Sequence, residues 1–183
     1  MTSEPAKTHF ELFGLPQAYR LDRSALDTRY RQLARETHPD RFVNRSDEER
    51  RLSLQRAAHV NEAYQVLKDP LRRARYLLEL RGVQFDDERS TTQDTEFLME
   101  QMELREALGE VRGAPDPLAA LAEIAGRIRD RLDTLAERLA VQLDQDSPQD
   151  REAAVDMVHK MTFYRRLLEE AESLEADLED ELT

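Results

Sequence analysis

Residues 28–42, TRYRQLARETHPDRF, join the end of one helix to a tight turn and decide the fold of the first half of the chain. Apolar residues recur there and just upstream at spacings typical of one buried helix face. That face consists of Leu26, Tyr30 and Leu33. We predict a helix over about residues 23–37, because Pro39 disfavours helical backbone at His38 and ends the helix there.

Basic side chains follow the opposite face of the same helix. At about 100° per residue, Arg31 and Arg35 project away from the apolar face, and Arg41 follows the turn directly. A basic row therefore leads into a rigid turn that carries a carboxylate, Asp40. Two interpretations remain open at this point: a docking surface for an acidic partner, or an ordinary solvated helix face. Charge alone favours the second.

Capping signals place the next two helices. The run SDEE from Ser46 is a capping-box pattern that opens a long helix, and this helix ends before Pro70. A short helix from Leu71 to Arg81 follows and stops at Gly82, the glycine expected after a helix C-terminus. Residues 83–92 are polar and lack helical periodicity, so we interpret them as a linker.

Three further helices are predicted beyond the linker. The first covers residues 93–112 and ends at Gly113, the second opens at Pro117, and the third opens at Pro148. The second helix carries a continuous apolar stripe whose members are Leu121, Ala125, Ile128, Leu132, Leu135 and Leu139. Helices joined by such short connections pack as antiparallel neighbours. We therefore predict a three-helix bundle over residues 93–183.

Composition excludes several function classes. Ala, Glu, Lys, Leu and Arg make up about half of the chain, which favours an all-α protein. The chain has no cysteine, so disulfides, thiol nucleophiles and thiolate metal sites are excluded. No phosphate-binding glycine loop or histidine metal pattern is present, and we expect no enzyme activity, no metal and no cofactor. Without a signal peptide or an apolar run long enough for a membrane span, we expect a cytoplasmic protein.

Charge divides the chain into two unlike units. Residues 1–82 hold 16 basic and 12 acidic side chains, whereas residues 83–183 hold 11 basic and 27 acidic ones. This asymmetry predicts different partners for the two units, and the acidic unit should repel nucleic acid and anionic membranes. Eight acids and no base lie between Glu169 and Glu181. Acids at a helix C-terminus oppose the helix dipole, so we expect that end to fray.

The motifs together resemble a known family. The HPD turn between two helices, followed by VNEAYQVLKDPLRRARYLLEL at residues 60–80, resembles a J-domain. From His9 to about Leu178 the chain resembles the HscB family of iron–sulfur J-protein co-chaperones, and FLMEQMELREAL at residues 97–108 is specific for that family. The resemblance implies an all-α fold: a J-domain over residues 1–82, built as an antiparallel helical hairpin with short flanking helices, and a C-terminal three-helix bundle.

The resemblance also implies roles for the basic helix and turn. The J-domain of the family binds a DnaK-type ATPase chaperone, with HscA as the specialised partner. The residues implied to trigger ATP hydrolysis in that partner are His38, Pro39 and Asp40. The residues implied to recognise it are Tyr30, Arg31, Arg35 and Arg41. Basic side chains would steer the domain to an acidic groove, which agrees with the charge pattern.

The first bundle helix carries more apolar residues than one face holds. Leu98, Met99 and Met102 fall outside its predicted buried stripe, and in the third helix Phe163 lies about 200° from Met161. Such residues are either wrapped by the bundle or form an exposed patch that marks a binding site. The resemblance implies contact with the iron–sulfur scaffold protein IscU. The implied contact residues are Leu98, Met99, Met102, Glu103, Glu106 and Phe163.

Alternatives remain. A general J-domain co-chaperone for other clients shares the first unit, and a helical scaffolding or nucleic-acid-binding protein would make HPD incidental. The acidic second unit argues against nucleic acid. Met102 stands where the family is expected to have an aliphatic residue such as Leu, a mild departure. The tetracysteine segment of some eukaryotic relatives is absent, so the chain resembles the bacterial form. An exposed patch leaves both a monomer and a weak dimer open.

Overall fold

The computed structural model describes residues 7–43, 45–85 and 94–181. The chain divides into two compact units, residues 1–82 and 83–183. The described residues form helices and turns without strands, so the predicted all-α class is confirmed.

The first unit is built around two long antiparallel helices. Its elements are α1 (His9–Phe13), α2 (Arg23–Glu36), a 3-10 turn (Pro39–Phe42), α3 (Asp47–Lys68) and α4 (Pro70–Leu80). Side chains at the caps open the long helices: Asp22 accepts from the Ala25 N–H, and Ser46 forms the predicted capping box with Glu49. The fully buried core residues include Phe10, Leu26, Leu67, Leu77 and Leu78.

Helix α1 closes one side of that core. Thr8 and Glu11 form a capping box at its start, and Gly14 ends it in the left-handed region at φ 64°. The His9 N–H donates to the Tyr76 hydroxyl on α4 at 3.0 Å, and the two rings stack at 4.3 Å between centroids. The sequence predicted short flanking helices without placing this one, although TxxE at its start carries the capping signal.

The second unit is a three-helix bundle. Its elements are α5 (Thr95–Glu110), a 3-10 turn (Val111–Gly113), α6 (Pro117–Gln145) and α7 (Pro148–Glu181). Helices α6 and α7 form an antiparallel hairpin joined only by Asp146 and Ser147. Asp146 adopts a left-handed backbone at φ 55°, and its carboxylate accepts from Arg151 Nε at 2.7 Å. The fully buried core residues include Leu104, Leu121, Ile128, Leu139, Leu143 and Val158.

The predicted start of the three-helix bundle falls next to residues that the structure does not describe. The start of the first bundle helix at Gln93 and residues 86–92 of the predicted linker lie outside the described residues. Within them, α5 begins at Thr95, where the Asp94 carboxylate accepts from the Phe97 N–H at 3.1 Å.

The expected fraying at the end of α7 is not found. The helix continues to Glu181, Leu178 is only 6% exposed, and Arg112 Nη1 lies 2.6 Å from Glu181 Oε1. The helix dipole alone favours fraying. The end of α7 is held because Leu178 is buried and because Arg112, in the 3-10 turn after α5, pairs with Glu181. Among the described helices, none combines the length and hydropathy that a membrane span requires.

Candidate protein-docking sites

The HPD turn presents its carboxylate to solvent. Thr37 caps the end of α2, and His38 leaves the helix with an extended backbone at φ −62° and ψ 128°. The His38 Nδ1 atom accepts from the Asp40 N–H at 3.3 Å, which caps the 3-10 turn. The Asp40 side chain is 85% exposed, with Oδ2 3.6 Å from His38 Nδ1. The turn is therefore shaped by local bonds that leave one carboxylate oxygen, Oδ1, for a partner.

A buried hydroxyl ties this turn to α3. Ser53 is 3% exposed, and its Oγ donates to the Thr37 carbonyl at 3.0 Å. Thr37 Oγ1 in turn donates to the Leu33 carbonyl at 2.8 Å, within α2. The residue before His38 is thus fixed to both long helices, so the position of the turn follows from the packing of α2 on α3. Ser53 could not be predicted from the sequence, because a serine inside an amphipathic helix gives no indication of its hydrogen-bond partner.

Arginine side chains form the surface that leads into the turn. Arg31 and Arg35 are exposed, as the helical angles predicted, and Arg41 in the 3-10 turn is exposed as well. Arg41 Nη1 donates to the Arg35 carbonyl at 3.4 Å, and Arg31 Nε donates to the Asp27 carbonyl at 3.3 Å. None of these three arginines forms an ion pair with another residue in the described part of the chain. Their charges are therefore available to an acidic partner.

Tyr30 lies between the apolar and the basic face. Its ring stacks on Tyr64 of α3 with centroids 4.0 Å apart, and its hydroxyl donates to Asn61 Oδ1 at 2.9 Å. The Tyr64 hydroxyl donates to Asp27 Oδ1 at 3.0 Å. Desolvation opposes ionisation of Asp27, but hydrogen bonds from Tyr64 and Arg23 outweigh it and lower the pKa of that carboxyl. Half-buried Tyr30 thus couples α2 to α3 while keeping one edge accessible.

Helix α5 of the second unit exposes an apolar ridge. Leu98, Met99 and Met102 are 43%, 59% and 72% exposed, in a helix whose opposite face buries Phe97, Leu104 and Leu108. The predicted Glu103 and Glu106 are also exposed on this helix. We call Leu98, Met99 and Met102 the α5 ridge. Neighbouring exposed apolar groups are typical of protein-binding surfaces, where the flexible thioether side chains of methionine adapt to a partner.

Phe163, unlike the residues of the α5 ridge, is packed among other aromatic side chains. It is half-buried, and its ring meets the edges of Phe97 and Tyr164, each at 5.5 Å between centroids. The Arg105 guanidinium lies 5.6 Å from the ring centre. Phe163 and Arg105 line a groove between α5 and α7, whereas Met99 and Glu103 line a groove between α5 and α6. The predicted contact residues therefore occupy both flanks of α5 rather than one pocket.

Polar bonds fix α5 beneath the ridge. Glu100 accepts from the Tyr164 hydroxyl and from Arg131 Nε, both at 2.7 Å. Burial and the Glu100 carboxylate raise the pKa of the Tyr164 hydroxyl. Lys160 lies 2.7 Å from Asp94 and 2.8 Å from Asp156; these bonds outweigh desolvation and raise the pKa of its ammonium. The ridge therefore sits on a helix bonded to both neighbours.

Metal-ligand clusters were sought among the described residues. Within residues 7–43, 45–85 and 94–181, no group of three or more histidine or acidic side chains is placed to hold a metal ion. The two features that stand out are an exposed carboxylate on a fixed turn and an exposed apolar ridge on a fixed helix.

Comparison with known proteins covers both units. A family model described as the DnaJ domain matches residues 8–76, and one described as the HSCB C-terminal oligomerisation domain matches residues 93–172. A protein named co-chaperone protein HscB homolog from Shewanella sp. (strain MR-4) is 42% identical over 172 residues, which cover 94% of this chain and 99% of that protein.

Solved structures agree with this match. The chaperone HscB from Vibrio cholerae has a TM-score of 0.83 at 42% identity, covering 94% of this chain and 99% of its own. Human co-chaperone protein HscB has a TM-score of 0.83 at 32% identity, covering 93% of this chain and 83% of its own.

Proposed function

The chain belongs to the HscB family of J-domain co-chaperones, and on that basis we propose that it delivers an IscU-type iron–sulfur scaffold protein to an HscA-type chaperone in the cytoplasm and stimulates the ATPase of that chaperone. The J-domain and the family imply a DnaK-type chaperone as the partner of the first unit. Co-chaperones of this family are not themselves enzymes.

The first unit would act on the chaperone through the HPD turn. Arg31, Arg35 and Arg41 attract an acidic surface at long range, which raises the rate of encounter and fixes orientation. The exposed Asp40 carboxylate then pairs with a cation on the chaperone. Because the turn is held by Ser53, little ordering entropy is lost on docking. Tighter binding to the hydrolysis-competent state of the chaperone shifts it toward that state.

The second unit would carry the client. The observation that carries this proposal is the α5 ridge. Met102 is 72% exposed there, in a unit that is otherwise rich in charged side chains. Leu98, Met99 and Met102 would bury their apolar area against the scaffold, and Phe163 would contribute its accessible edge. Glu103 and Glu106 would then form the polar rim that surrounds an apolar contact.

A calorimetric titration into the apo form of an IscU-type scaffold tests the proposal. We expect saturable binding that is lost in the triple variant Leu98→Ala, Met99→Ala, Phe163→Ala. Since Phe163 also packs on Phe97, the single variant Met102→Ala is measured beside it. The matched control is Leu52→Ala with Leu54→Ala, which removes two exposed leucines from α3 and should leave scaffold binding unchanged.

Each outcome has a distinct meaning. Loss of binding in the α5 variants alone supports the scaffold function and its location. Absence of binding by the wild-type chain, with stimulation of the chaperone ATPase intact, would contradict the scaffold function and leave a J-domain co-chaperone for another client. Equal loss in the α3 control would show that the titration reports non-specific apolar contact.

A further inference from the structure

Helix α6 carries arginines along the groove that it forms with α5. Arg127, Arg131 and Arg138 are exposed and line this groove of about 410 Å³, together with Met99 and Glu103. Arg131 is paired with Glu100 at 2.7 Å. Arg127 and Arg138 form no ion pair with any residue in the described part of the chain, although acids outnumber bases 27 to 11 in this unit.

The opposite wall of the groove has the opposite charge. Glu96 and Glu103 on α5 line the same groove, and neither lies within ion-pair distance of Arg127 or Arg138. The Glu100–Arg131 pair joins the two helices across the groove. An inserted segment would thus meet guanidinium groups on the α6 wall, and Met99 with the Glu96 and Glu103 carboxylates on the α5 wall.

We propose that the α5–α6 groove receives an acidic segment of the client scaffold, whose carboxylates pair with Arg127 and Arg138; this rests on the scaffold-binding function proposed above. Arginine suits such contacts because its guanidinium pairs with carboxylates in a bidentate geometry. The two arginines are eleven positions apart, which corresponds to about 16 Å along α6. Carboxylates at that spacing fit about three turns of helix or about five extended residues.

Continuity with the α5 ridge identifies the occupant. Met99 belongs to both the ridge and the groove, so a client that covers the ridge reaches the groove without a separate docking event. The second unit as a whole is acidic and repels acidic chains. Within the groove, Arg127 and Arg138 on the α6 wall attract carboxylates, whereas Glu96 and Glu103 on the α5 wall repel them, so the acidic side of the bound segment faces α6. A segment bound there would fix the register of the client on α5, which apolar contact alone does not specify.

Charge reversal tests the proposal on the intact chain. Arg127→Glu, Arg138→Glu and the double variant are titrated into the apo IscU-type scaffold at low and at high sodium chloride. We expect the double variant to raise Kd about tenfold at low salt, and to flatten the weakening that salt causes in the wild-type chain. The control is Arg129→Glu: this α6 arginine is exposed but faces Glu172 of α7 at 3.8 Å, away from the groove.

The outcomes separate this inference from the function on which it rests. Unchanged binding and salt dependence in the double variant, with normal wild-type binding, would overturn the groove assignment and leave the α5 ridge as the client site. An equal loss of scaffold affinity in Arg129→Glu would show that the effect comes from the net charge of the unit, and would also overturn the groove assignment. Absence of wild-type binding would refute the scaffold function itself, and the occupant of the groove with it.

Discussion

The Ser53 hydroxyl on α3 donates to the Thr37 carbonyl at 3.0 Å, directly beneath the residue that begins the HPD turn. Ser53 is 3% exposed, and apart from tyrosines it is the one buried polar residue within the described part of the chain. A buried polar group lowers folding stability unless it forms a hydrogen bond within the protein. The bond therefore links the packing of two helices to the position of a surface turn.

Removing that bond should loosen the turn. We expect Ser53→Ala to lower the free energy of unfolding by about 0.5–1.5 kcal/mol, since the part-buried hydrogen bond to the Thr37 carbonyl is lost. Stimulation of the chaperone ATPase should require more co-chaperone, because part of the binding energy then orders the turn. Thr8→Ala is the control: it removes the cap of α1 but does not touch the turn. Equal ATPase effects in the two variants would contradict a positioning role for Ser53.

Changing the exposed carboxylate of the turn should affect function and not folding. Asp40→Asn keeps the size of the side chain, and the group is 85% exposed, so we expect a stability change within about 0.5 kcal/mol. Single-turnover ATPase assays should show that stimulation is lost. Glu48→Gln, which neutralises another exposed carboxylate on α3, should leave stimulation intact. Full stimulation of the chaperone ATPase by Asp40→Asn would contradict the proposed role of the Asp40 carboxylate.

The stability of the first unit should fall in mild acid because of His9. Burial, and next the facing His59, lower the pKa of His9, with Glu62 opposing. The unfolded chain therefore binds more protons than the folded one just below the ordinary pKa of 6.5, and stability decreases as pH falls through that range. Stability is fully present above it.

Denaturation followed by tyrosine fluorescence measures this effect, since four of the five tyrosines lie in the first unit. We expect His9→Gln to reduce the loss of stability between about pH 7.5 and about pH 5.5 relative to wild type. His159→Gln in the second unit is the control. An identical pH dependence in wild type and His9→Gln would contradict the assignment to His9.

The end of α7 should depend on packing more than on charge. Leu178 is 6% exposed, so Leu178→Ala should cost about 2 kcal/mol and expose the last turns to hydrogen exchange. Glu181→Gln removes an exposed ion pair with Arg112 and should cost less than about 1 kcal/mol. A larger cost for Glu181→Gln than for Leu178→Ala would reverse this ranking.

Two positions on α5, Met102 and Leu104, should separate scaffold binding from folding stability. Met102 is 72% exposed, so Met102→Ala should change unfolding by less than about 0.5 kcal/mol and weaken scaffold binding. Leu104 is 1% exposed, and Leu104→Ala should cost about 2–5 kcal/mol. Calorimetry and chemical denaturation of both variants check this. Unweakened scaffold binding by Met102→Ala would argue against the ridge as the client surface.

Most of the secondary structure was predictable because the signals are local. Asp22, Ser46 and Asp69 each cap the helix that follows, and Pro117 and Pro148 open helices where proline is tolerated. Helical angles also placed Leu98, Met99 and Met102 outside the buried stripe of α5, but whether the bundle wraps them was decided only by the structure, which exposes them.

The remaining features depend on contacts between distant residues. Ser53 meets Thr37 across 16 positions, and Arg112 meets Glu181 across 69. No periodicity or capping pattern encodes such pairs. The α6 arginines were likewise unremarkable in a chain with 27 basic residues, until the fold placed two of them unpaired beside the ridge.

The order of elements in the second unit has a consequence for biosynthesis. Helix α5 leaves the ribosome first, but its buried Phe97 packs against Tyr164, which belongs to the second arm of the α6–α7 hairpin. A helix of 16 residues is marginal without such packing. The packing that supports the α5 ridge is therefore completed only when α7 has been made as far as Tyr164, whereas the J-domain, made first, is able to fold earlier. A translation product that stops before Tyr164 would retain the HPD turn and lack this support for α5.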